Sequence, residues 1–171
     1  MKEGPKYYGI YRGTVTNNID PLQTGRILAT VPDVGGLVPT TWCMPAMPLT
    51  GKQMGVYVVP QIGSGVWSQF AAGDPDRPVW TGGWWGNAAE VPALALAGVP
   101  GNPNIVIGSM LQNTIVVSDL PGPTGGIMLK STTGATLIVN DTGIFIQNGK
   151  GASIVMTGPT VTINNGALVV V

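Results

Sequence analysis

The last third of the chain alternates large apolar and polar residues in short runs that are separated by glycine. The glycines recur seven to nine residues apart, at Gly126, Gly134, Gly143, Gly151, Gly158 and Gly166. Each run carries two large apolar residues spaced two apart: Ile127/Leu129, Leu137/Val139, Ile144/Ile146, Ile154/Met156, Val161/Ile163 and Leu168/Val170. Period-two alternation predicts β-strands with one buried face, and repetition at near-constant spacing predicts stacked, similar units.

No single unit can bury its own apolar pair, so another copy of the chain or another part of it must pack against these residues. One strand per unit is too little chain for a solenoid coil closed by one copy, and we therefore predict that other copies supply the missing faces. The arrangement that suits this is a homotrimer, with three chains winding around one axis. The predicted trimer core is Ile127, Leu129, Leu137, Val139, Ile144, Ile146, Ile154, Met156, Val161 and Ile163. The alternative is a flat meander packed on the preceding domain.

The first half of the chain predicts a small closed barrel. Turn signals rich in Gly, Pro and Asp separate six short candidate strands, at residues 8–17, 25–31, 41–44, 55–59, 65–70 and 79–84. Closure into a barrel would remove exposed strand edges. We therefore predict an all-β chain with a barrel over residues 1–86, an extended connector over 87–104 with one helical turn near 93–97, and a trimeric needle over 105–171.

The composition of the chain excludes several classes of protein. The chain has 8 Lys+Arg, 8 Asp+Glu and no His, so it lacks the basic footprint of a nucleic-acid-binding protein. Its 26 glycines and 15 prolines accompany a 44% hydrophobic fraction, which is too apolar for a disordered chain. The N-terminal residues lack the apolar core of a signal peptide, so we expect synthesis and folding in the cytoplasm.

Candidate catalytic groups are few. Without histidine the chain cannot form Ser-His or Cys-His dyads or the usual zinc sites. Asp74 and Asp76 form a carboxylate pair, but we interpret them as capping a tight turn in which Arg77 pairs locally. Trp80, Trp84 and Trp85 could stack bases or sugars, yet only Arg77 lies near them in sequence, so packing is the favoured interpretation. We expect no enzyme activity and no cofactor.

The barrel segment resembles a known family. The matching elements are Asn18–Pro21, Gly25-Arg26, Pro60–Val66 and the run Gly73–Val79, which reads Gly-Asp-Pro-Asp-Arg-Pro-Val. These resemble the oligonucleotide/oligosaccharide-binding-type (OB) barrel of central spike proteins in contractile injection systems, which include phage baseplate spikes and the VgrG proteins of type VI secretion. The C-terminal repeats look like the intertwined triple-stranded β-helix of the same family.

The resemblance implies a structural, membrane-piercing spike of a phage tail or injection particle. Its barrel end would sit on a baseplate hub protein, and its C-terminal end would carry a PAAR-like tip protein and meet the target envelope transiently. The chain departs from some relatives by lacking a lysozyme-like insert, a large N-terminal hub domain and a histidine-bound metal tip, which favours a stand-alone spike. The expected tip-docking surface is Leu168, Val169, Val170 and Val171.

Two other functions stay open at this stage. One is a trimeric OB-type module that binds glycans, and the other is an enzyme with an unfamiliar site. The missing histidine and the lack of a paired acid in a plausible cleft argue against the enzyme. The type of particle and the identity of the tip protein are not predicted.

Overall fold

The computed structural model describes residues 4–170, apart from the side chain of Val169. The chain divides into two compact units, Met1–Gly86 and Asn87–Val171. Its regular structure is nearly all β, as predicted, and no helix of the described residues is long and apolar enough to cross a membrane.

The strands of the first unit are β1 (Tyr11–Asn17), β2 (Leu28–Thr30), β3 (Met44–Pro45), β4 (Thr50–Gly51), β5 (Met54–Gly55), β6 (Gly65–Phe70) and β7 (Pro78–Trp84). Those of the second are β8 (Ile105–Gly108), β9 (Thr114–Ser118), β10 (Gly126–Lys130), β11 (Thr136–Asn140), β12 (Gly143–Gln147), β13 (Ser153–Thr157), β14 (Thr160–Ile163) and β15 (Leu168–Val170). One α-helical turn, α1, spans Pro32–Gly35, and 3₁₀ turns span Ala71–Gly73, Ala88–Glu90, Gly122–Thr124 and Asn164–Gly166.

The first unit contains a five-stranded sheet whose two edges meet. The order is β2-β1-β6-β7-β3, and only the β3–β7 pair is parallel. An isolated bridge then joins the residues just before β2 and β3: Ile27 N–H donates to Cys43 O at 3.3 Å, and Cys43 N–H donates to Ile27 O at 2.8 Å. The bridge closes a ring in the order β1-β2-β3-β7-β6. The predicted OB-type barrel is therefore confirmed.

The barrel is filled by side chains that alternate inward along its strands. The buried cluster is Val15, Ile27, Ala29, Cys43, Val66 and Trp80, with Met47 and Val59 packed against it. The indole Nε1–H of Trp80 donates to Gly25 O at 3.1 Å, so this large ring is buried without an unpaired donor. Burial raises the pKa of the Cys43 thiol, which accords with its role as a small apolar core residue.

The predicted strand at residues 55–59 is wrong beyond its first residue. Instead, Thr50–Gly51 and Met54–Gly55 form a two-stranded hairpin of their own, closed by Val56 N–H donating to Leu49 O at 3.0 Å. Residues 56–59 continue without a ladder partner. The five barrel strands already form a ring, so no open edge remains for a sixth strand.

The second unit is built on an eight-stranded antiparallel sheet, with β8 to β15 in sequence order. Every pairing in this sheet joins strands that are consecutive along the chain. The connections are short, and positive-φ residues such as Gly134 and Gly158 lie in them. The repeats that the sequence predicts are thus successive strands of one meander.

The connector differs from its predicted extended form. Its helical turn lies at Ala88–Glu90, where the Asn87 side chain accepts from Ala89 N–H at 2.9 Å, while residues 93–97 form non-helical turns. Asn104 Nδ2–H then donates to Leu94 O at 2.8 Å and folds the segment back on itself. Leu94 and Ala97 consequently line a groove together with Val116, Met128 and Ile138 of the sheet.

Candidate functional site

The most prominent surface of the second unit is one face of the eight-stranded sheet, on which two unbroken apolar ladders run from β8 to β15. Residues directly opposite each other across paired strands share a face of the sheet. The first ladder is Ile105, Val117, Ile127, Val139, Ile144, Met156, Val161 and Val170. The second is Ile107, Ile115, Leu129, Leu137, Ile146, Ile154, Ile163 and Leu168. We call this surface the ladder face.

In the single chain 11 of the 16 ladder residues are exposed and the other five are half-buried, whereas the opposite face is buried at β9. Within β9, Thr114, Val116 and Ser118 are buried, while Ile115 and Val117 are 44% and 39% exposed. A soluble sheet that is complete in one chain has the opposite arrangement, because its apolar residues face its own core. The ladder face is much larger than the scattered apolar residues of an ordinary surface, and it therefore requires a partner.

The structure brings together all ten residues that the sequence predicts for the trimer core. Each of them lies on the ladder face, in register with the others. Four further residues lie on the same face and were not singled out from the sequence, namely Ile105, Ile107, Ile115 and Val117. Their signal is the same alternation, in the runs IVIG and TIVVS, but those strands precede the regular glycine spacing.

The opposite face of the sheet carries polar rows on each side of a central row that is apolar except for Thr162: Val106, Val116, Met128, Ile138, Phe145, Val155 and Thr162. Lys130, Thr136, Gln147 and Ser153 are neighbours across four successive strands. Thr160 and Thr162 lie on this face as well, because they flank Val161 of the ladder face. The connector packs against part of the central row, whereas exposed residues of the polar rows, such as Gln147, are suited to contact with water.

Glycine is required where the chain enters two of these strands. Gly126 has φ +86°, and a Cβ there would lie 2.1 Å from Val139 O. Gly143 has φ +154°, and a Cβ there would lie 2.1 Å from Met156 O. No side chain fits at either position without moving the backbone of the neighbouring strand, so these glycines permit the close strand pairing.

The predicted tip surface lies at the last strand of the sheet. Leu168 and Val170 continue the two ladders opposite Ile163 and Val161, and they are 54% and 55% exposed. Val171 lies outside the described residues, as does the side chain of Val169. Since β15 pairs only with β14, its outer edge also presents backbone groups without a strand partner among the described residues.

The predicted barrel turn is organised by backbone and carboxylate hydrogen bonds. The Asp74 carboxylate accepts from Asp76 N–H at 3.0 Å, and Arg77 N–H donates to Asp74 O at 3.0 Å. The Asp76 carbonyl accepts from Thr41 Oγ1–H at 3.0 Å, which ties the turn to the segment before β3. Within the described part of the chain, no carboxylate lies within ion-pair distance of the Arg77 guanidinium.

A second set of polar contacts in the barrel centres on Asp20, which sequence reasoning did not single out. Its carboxylate accepts from Arg26 Nε–H at 3.0 Å and Arg26 Nη2–H at 2.6 Å, and from the amides of Leu22 and Thr24 at 3.0 and 2.9 Å. The Arg26 guanidinium in turn lies 5.2 Å from the ring centroid of Trp42. These contacts hold the pKa of Asp20 well below its ordinary value, with the Arg26 hydrogen bonds as the main cause, and they raise the pKa of Arg26.

The tryptophans divide between the core and the outside of the barrel. Trp80 is in the core, Trp85 is 63% exposed, and Trp84 donates from Nε1 to Val66 O at 3.2 Å. Trp84 and Trp67 lie with ring centroids 6.5 Å apart, and the Arg12 guanidinium lies 5.3 and 5.8 Å from their centroids. Because the arginine already lies over both rings, it competes with any sugar that would stack there.

The described residues contain no group of three or more potential metal ligands of the His, Cys, Asp or Glu type. The ladder face, with its two apolar ladders, is therefore the candidate functional site.

Comparison with known families accounts for both units. A sequence-family model described as the Type VI secretion system/phage-baseplate injector OB domain matches residues 11–85. A model described as the Phage baseplate V C-terminal trimerisation domain matches residues 104–169, the segment that carries the ladder face. The chain belongs to the phage baseplate V family.

A comparison with curated proteins gave no match. The two family models fall in the same order as the two units of this baseplate protein, with the connector between them. The resemblance that the sequence motifs suggested is therefore confirmed, and residues 104–169 match a trimerisation domain. The protein is a structural part of a phage baseplate or a related injection particle.

Proposed function

We propose that three copies of this baseplate protein form the membrane-piercing spike of a contractile injection particle. The observation that carries the proposal is the ladder face, which is apolar along the full length of the sheet and has 11 of its 16 residues exposed in the single chain. Three such faces turned toward a common axis would bury one another. Two ladder residues on each of eight strands give sixteen buried side chains per chain, and burial of each contributes roughly 1.5 to 3 kcal/mol in gross terms.

The dimensions suit a short, stiff shaft. Neighbouring strands lie about 4.8 Å apart, so the seven steps from β8 to β15 span about 34 Å along the axis. Each step also rotates the sheet by roughly 20 to 25°. Over the same seven steps the rotation accumulates to about 140 to 175°, so three sheets would wind around one another as they descend.

Winding makes separation of the chains slow. One chain cannot leave until most of its strands have opened, and every opened strand exposes ladder residues to water. We therefore expect high kinetic stability, which is what a part driven through an envelope by a contracting sheath needs. Exposed polar residues of the opposite face, such as Gln147 and Thr157, would keep that part of the shaft in contact with water.

The two ends of the spike have different partners in this proposal. The barrel end would sit on the baseplate hub. At the other end, the ladders of three chains would meet as an apolar three-fold surface formed by Leu168, Val170 and the residues beside them. A surface of that kind favours a small PAAR-like tip protein as its occupant, and the barrel turn at Asp74, Asp76 and Arg77 is proposed as a structural clamp without catalytic function.

Localisation in the native host tests the proposal. Gold labelling of an epitope-tagged chain should place the label at the baseplate end of contractile tails or tail-like particles. A label found only in unassembled protein would contradict the spike function.

A truncation tests the tip-docking surface separately. Removal of residues 168–171 should leave the trimer intact and abolish co-purification with a PAAR-like tip protein. Unchanged co-purification would contradict the docking surface.

A further inference from the structure

The N-terminal unit has an exposed apolar segment that the needle does not explain. It is the hairpin β4–β5 with its flanks, residues 47–59, which we call the arm. Large apolar side chains along it are strongly exposed: Leu49 52%, Met54 60%, Val56 46%, Tyr57 67% and Val58 64%. The arm has a single charged residue, Lys52, and no acid. Five exposed side chains in ten consecutive residues form a patch, whereas ordinary surfaces scatter such residues singly.

The arm is anchored at both ends, so its shape is fixed before any partner arrives. Met47 and Val59 pack against the barrel core at its two roots. The hairpin register is Thr50 opposite Gly55 and Gly51 opposite Met54. Gly55 has φ +143°, and a Cβ there would lie 2.5 Å from Leu49 O, so close strand pairing at this point depends on glycine. A pre-organised apolar hairpin loses little conformational entropy when it docks.

We propose that the arm of each chain docks on the barrel of a neighbouring copy in the trimer, so that the three barrels form a closed ring. The proposal rests on the trimer of the proposed function. The C-terminal trimerisation domain holds two further copies at the other end of a connector of only 18 residues, 87–104, so the neighbouring barrels have an effective concentration far above that of any free protein.

In a threefold ring, the contact between neighbouring copies can join two different surfaces of the same chain. In a ring, the arm of one copy meets another patch of the next copy, and the third contact closes the ring without leaving an arm uncovered. The barrel offers such patches on its loops, where Ile19, Leu22, Leu37 and Val38 are each at least 66% exposed. The absence of any acid in the arm also allows three arms to approach apolar surfaces without burying unpaired carboxylates.

Photo-cross-linking of the full chain tests the contact. Benzoylphenylalanine replaces Tyr57 in the arm, and in a matched control it replaces Tyr8, a barrel tyrosine that is 77% exposed and lies outside the arm. After irradiation the samples are boiled in SDS, so that only covalent links hold chains together. We expect dimer and trimer bands from position 57 at several times the yield from position 8.

A second variant shows whether the apolar side chains cause the contact. Leu49→Ser with Val58→Ser should reduce cross-linking from position 57 several-fold, whereas Lys52→Ser at the polar tip of the hairpin should leave it unchanged. Equal yields from positions 57 and 8, or no effect of the double substitution, would overturn the proposal. An unboiled gel of the same samples separates arm docking from the trimeric spike. A trimer band without arm cross-links refutes only the docking of the arm, whereas the absence of a trimer refutes the proposed function.

Discussion

At the scale of single residues, Asp20 holds together the first loop of the barrel. One carboxylate accepts hydrogen bonds from the backbone of Leu22 and Thr24 and from the Arg26 side chain within the same loop. The loop leads into β2, whose neighbour Ile27 forms the bridge that closes the ring. We therefore expect the ionised Asp20 carboxylate to stabilise the closed barrel.

The pH dependence follows from the direction of the pKa shift. The folded state lowers the pKa of Asp20 below its ordinary value of 3.8, so the interaction stabilises the barrel fully above that pH and is lost as the pH falls toward the folded value. Asp20→Asn should lower the unfolding temperature of the barrel by several degrees at pH 7. It should also weaken the loss of stability that the unmodified protein shows between pH 4 and pH 2.

Tryptophan fluorescence isolates this effect from the needle, because all five tryptophans lie between Trp42 and Trp85. Asp33→Asn provides the control, since Asp33 is an exposed carboxylate of the same unit. If Asp20→Asn and Asp33→Asn unfold at the same temperature at pH 7, Asp20 does not have the proposed role.

Neighbouring residues of β12 test the ladder face. Ile146 lies on the ladder face and Gln147 on the opposite one. Ile146→Asp would place three carboxylates in the shared core, so we expect the trimer to dissociate. Gln147→Asp should leave the trimer intact, because its side chain faces water. Sedimentation velocity of the two variants measures the difference, and equal behaviour would place the interface elsewhere.

At the scale of elements, period-two alternation was the strongest signal in the sequence. It predicts the strands of the needle and the face on which each apolar residue lies, because a β-strand has only two faces. The same signal failed at residues 55–59, where apolar residues continue without a ladder. Whether a fifth or a sixth strand closes a ring depends on pairing between distant segments such as Ile27 and Cys43, and local pattern carries no information on such contacts.

The connector illustrates a second limit of sequence reasoning. Proline and glycine in residues 87–104 indicated an extended segment. The structure folds it back through turns and the hydrogen bond from Asn104 to Leu94, against one face of the sheet.

The position of Arg12 over Trp67 and Trp84 was also not predicted from the sequence. It arises from the pairing of β1 with β6 and of β6 with β7, and the first of these pairings joins segments that are distant along the chain.

Glycine positions in the needle give a prediction at this scale. Gly143→Ala forces a Cβ against Met156 O, whereas Gly151→Ala meets no atom within 4 Å and carries the cost of its positive φ alone. We expect Gly151→Ala to cost about 1 to 3 kcal/mol per chain, and Gly143→Ala to cost clearly more because β12 must move away from β13. Thermal unfolding followed by circular dichroism compares the two, and equal losses would show that the close approach is unimportant.

At the scale of the whole molecule, the two units have different kinds of stability. The barrel has its own buried core, and we expect it to unfold and refold as an ordinary small domain. The needle relies on other copies for the burial of its ladder face. Its unfolding should therefore be much slower than that of the barrel, and refolding should depend on protein concentration because three chains must meet.

Unfolding in guanidinium chloride measures this contrast in one experiment. Tryptophan fluorescence reports the barrel, while far-ultraviolet circular dichroism reports both units. We expect the fluorescence change to finish well before the change in circular dichroism. Coincident and rapid changes by both probes would contradict a wound trimeric needle.

The mass of the purified, full-length protein in solution tests the central claim most directly. Light scattering should give three times the chain mass of 17.6 kDa, and an unboiled sample should keep the trimer band in SDS while a boiled one loses it. A single species of 17.6 kDa would contradict the account, because the ladder face would then stay exposed without the partner copies that it requires.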